Sequence, residues 1–259
     1  MTEALVLTYH AVETGPPPLC VEPKLFAKHL DVIGESGLRV VTMAELTELV
    51  HAGLQGGPLV AITFDDGFAS IARTAAPLLL ERGLRATIFC VAGRLGGHSD
   101  WPTAHGSGFV GTLATATELT ELVGLGFEIG SHGFEHAPLV GGSEAVLRRE
   151  LVESRDLLED AVSSSVPTFA LPYGAAPSPR ARRMLEETYA AACTTDLGRV
   201  RSNADVYALP RVDSHYILRP ELLDRAVAGR LDSYLRIRKA AARVRRALRS
   251  DYLLPTADA

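Results

Sequence analysis

Asp65 and Asp66 stand side by side at the end of an apolar run, in the stretch Leu-Val-Ala-Ile-Thr-Phe-Asp-Asp-Gly that spans 59–67. Carboxylates at the end of a buried strand are costly to desolvate unless something pairs with them. Adjacent side chains leave an extended backbone in opposite directions, so the two are expected to do different jobs. Gly67 lets the chain turn tightly beside them. A second apolar run, 127–130, leads into His132 and His136. Histidines four apart share one face of a helix, and a tight loop can also converge them. Neutral imidazole is a common ligand of zinc and its neighbours. Two histidines and an aspartate leave room for a water, which is the pattern of a catalytic rather than a structural metal site. Taken singly, each stretch also has a plain reading: an Asp-Gly turn, and two ordinary histidines.

Bringing these groups together requires several strand ends to meet. The run at 59–63 is short and apolar throughout, as in a strand buried on both faces of a parallel sheet. Similar strands are predicted at 5–9, 38–41, 86–92, 127–130, 168–171, 189–194 and 208–212. Helices are predicted between them at 23–35, 43–52, 68–82, 115–124, 144–163 and 179–187. Pro23 starts the first helix, the Thr42 and Thr115 capping boxes and Ser143 open later ones, and Pro77 predicts a kink or late start. Seven or eight strand–helix alternations predict an α/β fold with a parallel sheet. Motifs on separate strands converge only if that sheet closes, so a single-domain (β/α) barrel with its site at the strand C-termini is expected. The long segment 93–112, with Trp101, His98 and His105, is expected to shape the pocket, Trp101 as a substrate contact.

Composition narrows the function classes. The 259 residues, 47% hydrophobic, are enough for one barrel. A net charge of −5 argues against nucleic-acid binding. Cys20, Cys90 and Cys193 are far apart and odd in number, so buried thiols are expected. No run approaches the ~20 apolar residues of a membrane span, and the start, Met1-Thr2-Glu3-Ala4, has no signal-like segment; a cytoplasmic location is expected.

Thr63–Gly67 reads Thr-Phe-Asp-Asp-Gly, His132 and His136 form a His-x-x-x-His pair, and Pro172-Tyr173-Gly174 follows Ala170-Leu171. Together they resemble the polysaccharide deacetylase family, the NodB-homology carbohydrate esterases. Gly133 stands where that family has Ser or Thr, and Ala170 where it has Arg. The resemblance spans roughly 5–212 and implies an irregular seven-stranded barrel. It implies that Asp66, His132 and His136 hold a divalent metal, zinc first, with cobalt or nickel as alternatives, while Asp65 is the general base. It implies an oxyanion donor in the Tyr173 N–H, rigidified by Pro172, and an N-acetyl amino sugar as substrate; the lack of a signal-like segment favours a small or lipid-linked one over an assembled wall polymer, and the basic stretch at 236–249 would suit a lipid-linked one. The leaving amine needs a proton. His10, at the end of the first strand, resembles the N-terminal catalytic His of the branch that includes the poly-N-acetylglucosamine deacetylases; His215 is the other candidate, and a supporting role for His10 is the competing reading. Arg211 is expected either to replace the missing Arg beside Asp65 or to be a surface ion-pair partner, with Asp213 joining the same site. His29 and His51 read as helix residues without a role.

The barrel is expected to occupy 1–219 and a basic helical tail 220–259. Residues 230–249 carry eight basic side chains and one Asp, net +7, leaving −12 on the rest. Such a helix, at 236–249, either docks on the barrel or lies on an anionic membrane. Two other functions compete: hydrolysis of a non-sugar amide or cyclic imide, and an inactive carbohydrate-binding module in which Gly133 and Ala170 mark decay.

Overall fold

The computed structural model describes residues 3–101 and 109–248. Its strands are β1 (Glu3–Tyr9), β2 (Arg39–Val41), β3 (Leu59–Phe64), β4 (Thr87–Cys90), β5 (Glu128–Ser131), β6 (Thr168–Ala170), β7 (Ala191–Leu197), β8 (Val200–Arg201) and β9 (Leu209–Asp213). The helices are α1 (Pro23–Glu35), α2 (Met43–His51), α3 (Ala76–Leu80), α4 (Ala116–Gly124), α5 (Glu144–Arg148), α6 (Ser154–Val162), α7 (Pro179–Thr188), α8 (Pro220–Val227) and α9 (Asp232–Leu248). Strands β1, β3, β4, β5, β6, β7 and β9 form a closed parallel ring, because β1 pairs with β3 on one side and β9 on the other. β2 runs parallel to the first half of β3, and β8 runs antiparallel to the start of β1. This is a (β/α)7 barrel.

Full burial explains why the strands read as apolar runs. All six residues of β3 are buried, as are Ala4 to Tyr9 of β1. One face fills the ring and the other meets the helices. Register then sets the height of each strand end. Tyr9 lies opposite Phe64, and the Asp65 N–H donates to the Tyr9 carbonyl at 2.9 Å. The His132 N–H donates to the Cys90 carbonyl at 2.8 Å. The residues after β1, β3 and β5 therefore emerge at one rim of the ring.

The capping boxes at Thr42 and Thr115 form, Ser143 caps α5, and Pro23 takes the first turn of α1. The three cysteines are free and buried. Other elements depart from the sequence expectation. The segment 68–82 is a wide π turn, Ile71–Ala75, followed by α3, since Pro77 cannot donate the hydrogen bond that a regular helix would need there. The long helix expected over 144–163 contains a second π turn, Arg149–Glu153, between α5 and α6. The strand expected at 189–194 is shifted to β7, and the two-residue β8 carried no periodic signal.

Leu223, Ala226, Val227, Leu231 and Leu235, from α8 to α9, belong to the same apolar cluster as β1 and α1. Lys239 pairs with Asp196 at 3.0 Å, and Arg238 lies over the Tyr216 ring. Ile237 on α9 is 68% exposed. The side chains of Arg243, Arg245, Arg246 and Arg249 lie outside the described residues, as does His105. Among the described residues, no helix is long and apolar enough to cross a membrane.

Candidate metal centre and active site

Asp66 follows β3 through a left-handed residue, φ 70°, and Gly67 continues the turn at φ 74°. Asp tolerates this backbone better than most side chains do. His132 leaves β5 directly, and His136 ends a tight loop rather than a helical turn, with Gly133 at φ 87° and His136 at φ 62°. Asp66, His132 and His136 are buried, at 6%, 3% and 6% exposure. Their donor atoms form a small triangle. Asp66 Oδ1 lies 3.6 Å from His132 Nε2 and 3.4 Å from His136 Nε2, and the two Nε2 atoms are 3.2 Å apart.

The triangle fits a divalent cation. Ligand bonds of about 2.0–2.1 Å at tetrahedral angles separate their donor atoms by about 3.3–3.4 Å. His132 Nδ1–H donates to the Ala170 carbonyl at 2.7 Å, which leaves Nε2 of the neutral ring with its lone pair toward the triangle. Burial, with His132 beside it, holds the His136 imidazole well below the usual histidine pKa, so it is neutral. Burial pushes the Asp66 carboxyl up, and His10 and His132 offset this only in part. The desolvated Asp66 carboxylate faces both imidazoles at the point where a bound cation would bring positive charge.

Asp65 turns the other way and meets Arg211 from β9. Two 2.7 Å hydrogen bonds, Nη1 to Oδ1 and Nη2 to Oδ2, make the pair bidentate. Arg211 is 2% exposed; it also donates to Thr63 Oγ1 at 3.3 Å and, through Nε, to the Thr194 carbonyl at 3.0 Å. Its position is thus inside the rim and not at the surface. Burial acts to raise the Asp65 carboxyl, but Arg211, with His132 and His10, outweighs it and holds the group well below the usual carboxylate range. Adjacent carboxylates are shifted in opposite directions by their surroundings, a pattern that separates their roles.

Of the other expected residues, His10, Trp101 and Tyr173 adjoin these two groups. His10 follows β1 and bears electrostatically on both Asp65 and Asp66, and its buried Nδ1 has no hydrogen-bond partner among the described residues. His215 is exposed, with its ring edge-on to Tyr216, and its N–H donates to Asp213 Oδ1 at 2.8 Å. Asp213 therefore caps the turn after β9, opposite Thr8 of β1. Trp101 stacks on the His136 ring at 4.7 Å and 22°, and the Tyr173 ring meets the same imidazole edge-on at 4.6 Å. Buried Pro172 opens the turn that places Tyr173 at φ 58°. Burial and Asp66 push the Tyr173 hydroxyl up to about 12.

Two features were not anticipated. Of the five non-glycine residues with positive φ among the described residues, three are Asp66, His136 and Tyr173. Sparsely populated backbone of this kind gathers at working sites. Buried Glu150, on the second π turn, accepts from the N–H groups of Phe134, Glu135 and Ala137 and so braces the histidine loop. Burial raises its carboxyl pKa against the pull of these donors. The positive φ values leave no mark in local sequence, whereas Glu150 falls on the buried helical stripe of Leu147, Leu151, Ser154 and Leu158.

The chain is similar to several known proteins. YxkH of Bacillus subtilis (strain 168), assigned by name to the polysaccharide deacetylases, is 26% identical over 208 residues, 80% of this chain and 70% of that one. The solved structure of IcaB from Ammonifex degensii superposes with a TM-score of 0.74 at 24% identity, covering 88% of this chain and 97% of IcaB. The Streptococcus pyogenes deacetylase PplD, solved with acetate, gives 0.73 at 23% identity over 86% and 96%. Residues 53–191, which contain Asp65, Asp66, His132, His136 and Tyr173 but neither His10 nor Arg211, match the family profile of polysaccharide deacetylase, and the chain belongs to that family.

Proposed function

We propose that this protein is a metal-dependent hydrolase that removes the acetyl group from an N-acetylated amino sugar, releasing acetate and a free amine. The observation that carries the reading is the buried triangle of Asp66 Oδ1, His132 Nε2 and His136 Nε2 beside the separately paired Asp65. Zinc suits its donor set, with cobalt or nickel as alternatives. A divalent cation, when bound, acidifies a water and polarises the acyl carbonyl.

The chain's own residues supply the rest. Arg211 keeps Asp65 ionised and fixes its orientation, so a carboxylate oxygen is available to take the proton of the attacking water. The same pairing makes Asp65 a weak base, well matched only to a water that has already been acidified. His10 delivers a proton to the departing nitrogen. The backbone N–H of Tyr173 stabilises the developing oxyanion. Trp101 and Tyr173, packed on His136, shield one side of the centre and offer an apolar wall to a sugar ring. PplD, a deacetylase by name, was solved with acetate, the acid this reaction releases.

The test is acetate release from N-acetylglucosaminyl compounds by metal-supplemented protein, with Asp65→Asn as the control. Hydrolysis of small cyclic amides in place of acetate release would move the assignment to non-sugar amides. Less than about a tenth of an equivalent of bound zinc, cobalt or nickel would overturn metal dependence and favour a binding module.

A further inference from the structure

The loop that presents His136 is held by a residue that takes no part in the proposed chemistry. Glu150 is 2% exposed and makes no ion pair among the described residues. Its Oε2 accepts the Phe134 N–H at 3.0 Å and the Ala137 N–H at 3.3 Å, and Oε1 accepts the Glu135 N–H at 3.0 Å. The carboxylate is thus gripped by backbone on both sides of His136. Those N–H groups have no partner within a regular element, and leaving them buried and unpaired would be costly.

Gly133 makes room for this arrangement. A Cβ at 133 would lie 2.5 Å from Glu150 Oε2, and the backbone there is left-handed at φ 87°. The position that departs from the family's Ser or Thr is therefore filled in space by the Glu150 carboxylate. Glu150 lies on the buried stripe of its helix with Leu147, Leu151 and Ser154. The π turn at Arg149–Glu153 breaks the regular helical pattern, and the Glu150 and Leu151 carbonyls accept from Ser154 Oγ at 2.6 Å and Tyr189 Oη at 2.7 Å. Ser154 Oγ in turn lies 3.0 Å from Ser131 Oγ, which accepts the Gly133 N–H at 3.2 Å. Both ends of the histidine loop are tied to the same turn of helix.

We propose that Glu150, in the space left by Gly133, is a positioning residue that preorganises His136 and His132 for the cation; the inference rests on the metal-centre reading above. Gly133 on this view is a matched partner of Glu150 and not a mark of decay.

Zinc affinity of the purified full chain, measured by competition with a chromogenic chelator, tests this alongside the melting temperature of the metal-free protein. Glu150→Gln keeps the volume, loses one acceptor and places an NH2 against backbone donors. It should weaken zinc binding about 10–100-fold, as loss of a ligand-orienting partner does. At saturating zinc its kcat should return to within a few-fold of wild type, with KM little changed. Gly133→Ala, which displaces the same carboxylate, should weaken zinc binding comparably, and it carries the test alone if Glu150→Gln does not fold. Zinc affinity within threefold of wild type in the folded variant, with only the melting temperature lowered, would overturn the proposal and leave Glu150 purely structural. A wild-type chain that takes up no zinc, cobalt or nickel would overturn the metal-centre reading and this inference with it.

Discussion

His29 and the pair His132–His136 are all buried imidazoles of one barrel, yet their surroundings differ completely. His29, on α1, has both nitrogens occupied: Nδ1 meets the Tyr9 hydroxyl at 3.0 Å and Nε2 the Leu218 carbonyl at 3.0 Å. It ties α1 to β1 and to the segment entering α8. His132 has one nitrogen fixed by the Ala170 carbonyl and the other turned toward His136 and Asp66. His136 Nδ1 has no hydrogen-bond partner among the described residues. A buried histidine with both nitrogens satisfied by protein is a rivet. A pair that leaves two lone-pair sites and a carboxylate facing one another is a receptor for positive charge.

The largest expected effect comes from the receptor. His136→Ala should abolish zinc retention and lower turnover by about three orders of magnitude, because the several kcal/mol supplied by a metal at about 1.4 kcal/mol per decade disappear together. Metal analysis and acetate release check both halves. Asp65→Asn should keep the metal and lose about 10²–10⁴ in kcat. Arg211→Ala acts on the same pair and should cost about 3–5 kcal/mol of stability by stranding Asp65 as a buried, unpaired charge, seen in denaturant unfolding. Next comes His10→Gln, expected to lower kcat about 100-fold with zinc affinity unchanged; a variant that instead sheds its zinc would show His10 to be a ligand.

The smallest effect on activity belongs to the rivet. His29→Leu should leave zinc affinity untouched and cost about 1–3 kcal/mol of stability through the unsatisfied Tyr9 hydroxyl and Leu218 carbonyl. Burial lowers the His29 pKa, only partly countered by the Leu218 carbonyl. The unfolded chain therefore takes up this proton first as pH falls below about 6.5, and wild-type stability declines in that direction until the folded imidazole also titrates. The leucine variant should show a flatter pH dependence over that window. If it also lost zinc, the distinction between the two kinds of histidine would collapse.

Much of the receptor was legible in the sequence because its groups sit beside strong local signals. Asp65 and Asp66 end a run of buried apolar residues, and His132 follows another, so their heights on the barrel come from strand boundaries. Arg211 was readable as an alternative source of charge because it lies at the end of the last strand while position 170 is Ala. Glu150 was not readable. In Leu147-Arg148-Arg149-Glu150-Leu151 it looks like one more solvated charge on an amphipathic helix. Its spacing, three after buried Leu147 and four before buried Ser154, does put it on the inner face of the helix, but nothing local shows which backbone groups its carboxylate would accept from. The left-handed residues at Asp66, His136 and Tyr173 were hidden for a related reason: tertiary contacts, not side-chain identity, impose that backbone. His29 was underestimated because helical periodicity marks a buried position without revealing what its nitrogens touch.

Sealing of the ring by β1 has a consequence for synthesis. Of the ring strands β1 is made before all the others, but one of its two barrel neighbours, β9, brings Arg211 and is made after all the others. Until β9 arrives, Asp65 has no guanidinium and the barrel remains an open sheet. A growing polypeptide can therefore possess Asp66, His132 and His136 while lacking the Asp65–Arg211 ion pair beside them. Competence should appear in one late step, when the circle is joined, and not by degrees as the helices accumulate.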